Sequence, residues 1–221
     1  MHDPAARVDE LPSLARLVDA SLRAGRLWLV RHGESTWNAL ALVQGQVPLP
    51  VLTARGRRQA RRCAWALRGE QVDAVYASDL RRAFQTAVPI ARALGLGVAV
   101  DAGLRERSLG AAEGMPASLL GPEWSGIHNG RVIDADAAPP GGESLRELYG
   151  RVSRCVSALV DRHRGANLVL VCHGGVVRMA EAWLDGVGPD ALAWGPLDNG
   201  EIVGRSAPAG ARRIAPLSPS L

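Results

Sequence analysis

Apolar residues recur at two different intervals along this chain, and the two kinds of segment alternate. Short unbroken runs at Leu27 to Val30, Val72 to Ala77, Val98 to Val100 and Leu168 to Cys172 read as strands covered on both faces, with a last strand near Ile202-Val203. Between them the apolar spacing turns helical. Thr53 caps a helix reaching about Arg68, Ser78-Asp79 start another to about Leu94, and Gly142 to Arg162 and Val176 to Leu184 complete the set. Pro89 predicts a kink or an early end in the second of these. In the third, Glu143 and Glu147 stand at the start and Arg162 at the end, as the helix dipole prefers. Ahead of the first strand, Leu14, Leu17, Val18 and Leu22 predict a helix over Pro12 to Arg23, with Ser13 as its cap. Residues Leu104 to Pro140 are rich in Gly and Pro and too long for a plain connector, so they are expected to form a lid or insertion.

Strands alternating with helices predict an α/β three-layer sandwich, a largely parallel central sheet with helices on both faces. The expected division is an N-terminal helical extension over 1–25, one domain over 26–205, and a flexible tail over 206–221.

Composition narrows the function classes. With 47% hydrophobic and 22% charged residues the 221-residue chain is globular in type. Its net charge of +4 is carried by arginine alone, for the sequence has no lysine. Arg57, Arg58, Arg61, Arg62 and Arg68 are spread along one helix with Trp65 the single aromatic among them, which reads as a solvated face and speaks against nucleic acid as a partner. Cys63, Cys155 and Cys172 have neither disulfide nor zinc spacing and read as buried, unreactive thiols. No stretch approaches the ~20 apolar residues that span a bilayer, and the N-terminus lacks an apolar signal core, so no membrane partner and a cytoplasmic location are expected.

Two of the strands end in the same way. Leu27-Trp28-Leu29-Val30 runs into Arg31-His32-Gly33-Glu34, and Leu168 to Cys172 runs into His173-Gly174-Gly175. Two imidazoles at the carboxyl edge of one sheet, with an arginine that can fork onto phosphate oxygens, make a site for a dianion. A histidine with one ring nitrogen held and the other free can attack phosphorus.

Together with Ser35-Thr36-Trp37-Asn38, Gln44-Gly45, Ser78-Asp79-Leu80-Arg81-Arg82-Ala83, Leu104-Arg105-Glu106 through Gly110, Glu113-Gly114 and Gly141-Gly142-Glu143-Ser144, these segments resemble the histidine phosphatase superfamily, in the family's order from Leu27 to about Val203. The resemblance implies a phosphoglycerate mutase-like fold, His32 as nucleophile, Arg31 and Arg82 as the phosphate clamp, and His173 as a second hydrogen-bond donor. Arg81 is left to solvent. Glu106 matches the family's proton donor, with Glu113 its rival on the same loop. Asn38, Gln44, Gly45 and Gly174 match positions that hold the phosphate or the rest of the substrate, although Asn38 reads equally well as a turn former. Glu34 reads as an ion-pair partner.

Departures concern the rim: Leu42 stands where the family has Arg, and Val47-Pro48-Leu49-Pro50 where it has Asp. Mutases continue after the donor Glu with Arg-His-Tyr and follow the second His-Gly with Asn. This chain has Arg107-Ser108-Leu109 and Gly175, which favours water as the acceptor. The expected activity is a phosphomonoesterase, with a cofactor-dependent phosphoglycerate mutase as the alternative and a non-catalytic phospho-ligand binder as a distant one. No metal or cofactor is implied, and the expected partner is a small phosphomonoester. Trp124, His128 and Arg131 are candidate substrate contacts, and Trp183 and Trp194 could equally serve the core or a homodimer contact.

Overall fold

Seven strands and six helices build the described part of the chain, residues 25–208 of a computed structural model. The helix expected over 12–23 and nearly all of the tail lie outside the described residues. Five strands form the central sheet: β1 (Arg26–Arg31), β2 (Ala74–Ala77), β3 (Val98–Val100), β6 (Leu168–Cys172) and β7 (Ile202–Ser206), in the order β3-β2-β6-β1-β7. All pair in parallel except β7, which runs antiparallel to β1. The remaining pair, β4 (Ile127–His128) and β5 (Arg131–Val132), is a separate ribbon in the Leu104–Pro140 segment.

Both faces of the sheet are covered, which is why its strands read as unbroken apolar runs. Leu27, Leu29, Leu168 and Leu170 pack with Leu148, Val152 and Val156 of α5 (Leu145–Arg162) and Val177 and Met179 of α6 (Gly174–Asp185). Trp28, Val30, Val169 and Val171 face the other way, onto Cys63, Ala64 and Leu67 of α2 (Ala54–Leu67) and Ala87, Ile90 and Ala91 of α3 (Arg81–Leu94). Trp183 is buried in the first of these layers.

Several boundaries differ from expectation for local reasons. Ser78 and Asp79 do not start α3, which begins at Arg81 with Leu80 as an uncapped N-terminus. Their side chains are engaged elsewhere, Ser78 with His173 and Asp79 with Arg105. Pro89 neither ends nor shortens α3; the carbonyl it leaves without a donor is that of Gln85, an exposed residue. α5 starts at Leu145 rather than Gly142, because Ser144 and Glu147 form a capping box. α6 starts two residues earlier than expected and takes Gly174 and Gly175 into its first turn. Ser206, expected to open the tail, closes β7, and Ala207 beyond it is buried.

The Leu104–Pro140 segment is irregular but ordered by its own short elements: two 3₁₀ turns, the one-turn helix α4 (Pro122–Ser125) and the ribbon. Arg146 of α5 ties it down, pairing with Asp136 inside the segment and Asp190 beyond it.

Candidate active site

Register places the chemistry. Arg31 lies opposite Cys172 and Ala77 opposite Val171, so β1, β2 and β6 finish at one edge of the sheet and present His32, Ser78 and His173 side by side. The two imidazole centroids are 5.1 Å apart at an interplanar angle of 65°.

The tautomer of His32 follows from its partner. Nδ1 lies 2.7 Å from the Gly33 carbonyl oxygen, which can only accept, so Nδ1 carries the proton and Nε2 keeps its lone pair. Burial first, then the Arg82 and Arg31 charges, push the His32 pKa well below the usual histidine value, against the opposing pull of the Gly33 carbonyl. The ring is neutral at pH 7. Its surroundings are fixed as well: Gly33 N–H donates to Thr86 Oγ1 (3.0 Å), and Asn199 Nδ2 donates to the His32 carbonyl (3.1 Å).

His173 is fully buried and pairs through Nε2 with Ser78 Oγ at 2.9 Å. The same hydroxyl accepts from Leu80 N–H and has a proton it can donate to His173 Nε2, an arrangement in which the imidazole proton lies on Nδ1. Nδ1 is buried and has no partner among the described residues. Burial, with Arg82 and His32 next, depresses this pKa also.

Arg82 is as buried as any core residue, at 1% exposure, and burial pulls its pKa down to about 10, so it stays charged at pH 7. Its terminal nitrogens donate to the carbonyls of Gly45 (2.7 Å) and Val47 (3.0 Å), while Nε is unpartnered. Gly45 adopts a positive φ of 46°, and a side chain there would run into Glu113, so this loop can wrap Arg82 only with glycine at that position. Arg31 donates through Nη1 to the Leu197 carbonyl and likewise keeps a buried, unpartnered Nε. Burial lowers its pKa, opposed by Glu106, Asp198 and Glu201. Arg31 Nε, Arg82 Nε and His173 Nδ1 are thus three buried nitrogens without partners near one neutral imidazole with a free Nε2. An unpartnered buried polar atom is costly, and three together suit a site that takes an anion.

Glu106 stands on the wall of the cavity over this edge. Its carboxylate accepts from the Arg107 N–H (2.9 Å) and the Gly175 N–H (3.1 Å). A Cβ at residue 175 would collide with Glu106 Oε1, so glycine here lets the first turn of α6 close on the carboxylate. Glu113 is placed otherwise: Oε1 accepts from Gln46 N–H (2.8 Å) and Leu109 N–H (3.0 Å), tying two loops together. Glu34 pairs with Arg55 and accepts from Thr53 Oγ1.

The cavity has a volume of about 400 Å³ and includes Arg31, Gln44, Gly45, Glu106 and Gly175 in its lining. Asn38 is not part of that lining; it belongs to a capping box with Ser35 at the start of α1 (Thr36–Ala39) and braces Asn199. Gly174 opens α6 against Arg31. Trp124, His128 and Arg131 do not line the cavity; Ser125, Ile127 and Trp194 do. Arg81 is exposed, as are the arginines of α2. Cys63 and Cys172 are buried and Cys155 half-buried, and burial pushes each thiol up, Cys63 to about 11 and Cys155 to about 12. Among the described residues no group of three or more His, Cys, Asp or Glu side chains could hold a metal, and no helix is long and apolar enough to cross a membrane.

Residues 27–214 match the family model of the histidine phosphatase superfamily, branch 1. The chain belongs to the histidine phosphatase superfamily. A phosphoglycerate mutase-like protein 4 of Arabidopsis thaliana is 44% identical over 155 residues, 68% of this chain and 66% of that one. A probable phosphoglycerate mutase of Yersinia enterocolitica is 37% identical over 174 residues, covering 75% and 77%. Among solved structures, a mycobacterial glucosyl-3-phosphoglycerate phosphatase complexed with VO3 superposes with a TM-score of 0.71 at 32% identity, over 82% of this chain and 90% of that one. A phosphoserine phosphatase of Entamoeba histolytica, with phosphoserine bound, superposes at 0.71 and 26% identity over 81% and 89%. The mostly parallel sheet between two helical layers is the phosphoglycerate mutase-like fold of this family.

Sequence reasoning passed over Ser78, Thr86 and Asn199, which orient the two histidines, and Arg107 and Arg151, which hold the Glu106 loop. Ser78 carried a usable signal, since it ends a third parallel strand as the two histidines end theirs.

Proposed function

We infer that the protein is a phosphomonoesterase that transfers the phosphoryl group of a small cytoplasmic metabolite to His32 Nε2 and then to water. One observation carries this reading: three buried donors without acceptors, Arg31 Nε, Arg82 Nε and His173 Nδ1, surround a histidine that is neutral and has a free Nε2. The donors bind the phosphoryl oxygens and meet the charge that gathers there during in-line transfer. His32 Nε2 forms the N–P bond as the ester P–O bond breaks, and Glu106 gives its proton to the departing alkoxide. Glu106 then takes a proton from water as that water attacks the phosphohistidine, and the cycle closes with inorganic phosphate and a neutral His32. The same carboxylate serves in both directions because the backbone N–H groups of Arg107 and Gly175 hold it in place.

Gly175, Ser108 and Leu109 stand where mutases carry other residues, which favours hydrolysis over return of the phosphoryl group. Phosphate release from a panel of phosphomonoesters, with mutase product assayed alongside, tests the reading. Expected are release by the native protein, an acid-labile phosphoenzyme trapped on quenching, loss of both in His32→Ala, competitive inhibition by vanadate, and turnover unchanged by EDTA. Interconversion of phosphoglycerates without net release would make it a mutase, and ligand binding without a phosphoenzyme would make it a binding protein.

A further inference from the structure

The chamber beyond the phosphoryl site has walls of a different kind from its floor. Its upper lining is Val43, Leu109, Ala117, Leu120, Ile127 and Trp194, contributed by the loop after α1, the Leu104–Pro140 segment and the stretch before β7. Among the described residues, the one cation in the lining beyond Arg31 is Arg107, and it is already committed. Nε donates to the Glu143 carbonyl (2.7 Å), Nη1 to Ser125 (2.6 Å), and Nη2 to Trp124 (3.0 Å) and Ala137 (2.7 Å). Arg178, whose guanidinium lies 4.8 Å over the Trp194 ring, is likewise turned onto the carbonyls of Gly195 and Gly174. A second negative charge on the substrate would meet apolar side chains, with no free guanidinium among the described lining residues to answer it. At about 400 Å³ the chamber also stands at the small end of ligand pockets.

We propose that the substrate is a small phosphomonoester whose leaving group is uncharged and largely apolar, an aryl-methyl or alkyl alcohol, and that Leu120, Ile127 and Trp194 select it against carboxylated esters such as phosphoglycerates. The proposal rests on the phosphomonoesterase reading and deepens it. Among the described residues Gln44 supplies the one side-chain amide of the chamber, its carbonyl already accepting from Ser35 Oγ. It suits a single ether or hydroxyl on an otherwise apolar group, and not a polyol.

Three esters of primary alcohols distinguish the outcomes: benzyl phosphate, glycerol 1-phosphate and 3-phosphoglycerate. Expected is kcat/KM for benzyl phosphate about 100-fold above that for 3-phosphoglycerate and about 10-fold above that for glycerol 1-phosphate. Leu120→Arg, a substitution at a half-buried position, places a cation on the wall and is expected to narrow the first ratio by about 10-fold or more. Hydrolysis of 3-phosphoglycerate as fast as benzyl phosphate overturns the substrate assignment and leaves the phosphomonoesterase reading standing. So does a ratio that Leu120→Arg does not move. Absence of hydrolysis and of a phosphoenzyme with all three esters overturns both.

Discussion

On the floor, behind Gly45 of the chamber lining, Arg82 is nearly inaccessible and keeps one nitrogen without an acceptor; on the roof, Arg107 is nearly as inaccessible and has all three nitrogens on carbonyls. Burial pulls both guanidinium pKa values down, and both remain charged at pH 7. By residue type and burial alone the two are indistinguishable. What separates them is the account of their partners: the floor arginine has a nitrogen left over, whereas the roof arginine is complete and acts as a rivet through Glu143, Ser125, Trp124 and Ala137. A buried cation marks a binding site only where a donor is left over.

The largest effect expected in this comparison is at Glu106, which stands between the two regions. Glu106→Gln lowers kcat by about 10² to 10⁴ for alkyl phosphates, whose leaving oxygen needs a proton. For 4-nitrophenyl phosphate, whose leaving group departs as the anion, the first step is spared and a burst of nitrophenol should precede slow turnover. Equal losses on both esters, with no burst, would remove Glu106 from proton transfer.

Next in size is the contrast between the two arginines. Arg82→Met takes away a donor aimed at the transferring group and should lower kcat/KM by about 10² to 10³. Arg107→Met strips four carbonyls of their donor, so it should lower the melting temperature more than Arg82→Met does while costing the protein that remains folded about 10-fold or less in kcat/KM. Kinetic losses of the same size in both variants would erase the distinction between floor and roof. Gly175→Ala comes third: the added methyl presses on Glu106 and should reduce kcat by about 10-fold with little change in KM.

The smallest effect is a pH dependence confined to the floor. His32 and His173 are both held well below the ordinary value of 6.5, mainly by burial. The unfolded chain therefore binds protons that the folded one refuses, and stability is fully present above about pH 6.5 and falls as the pH drops below it. Each ring contributes up to about 1.4 kcal/mol per pH unit until its folded pKa is reached. Urea midpoints measured from pH 7.5 to 5 should fall, and His173→Gln should flatten part of that slope. The acid limb of kcat/KM attributable to His32 should lie well below pH 6.5.

Much of the floor was legible before any coordinates. Strand ends and motif order located His32, His173, Arg31 and Arg82 because a dianion site at a sheet edge needs few residues, each close in sequence to an apolar run. The layered α/β architecture was legible for the same reason, since continuous apolar strands imply cover on both faces. The roof was not. Its residues come from three stretches far apart in the chain, and Trp124, His128 and Arg131 looked like contacts by type, although the two latter point to an exposed ribbon. Arg107 gave no warning of its four carbonyls, because backbone acceptors leave no trace in a sequence. Element boundaries slipped where a side chain had a distant partner, as at Ser78, whose bond to His173 spans 95 positions.

The place of β6 in the sheet has a consequence for how the protein comes into being. β6 is the second-to-last of the seven strands to leave the ribosome, yet it lies in the middle of the sheet, between β2 and β1. Until it arrives, β1 and β2 have facing edges with nothing between them, and pairing β6 with β1 closes a loop of some 140 residues against the entropy of the chain. Pairings of such long range make folding slow and leave strand edges open to other chains meanwhile. His32 is synthesised early but gains its second imidazole only when β6 docks, so the paired histidines are a late product of folding.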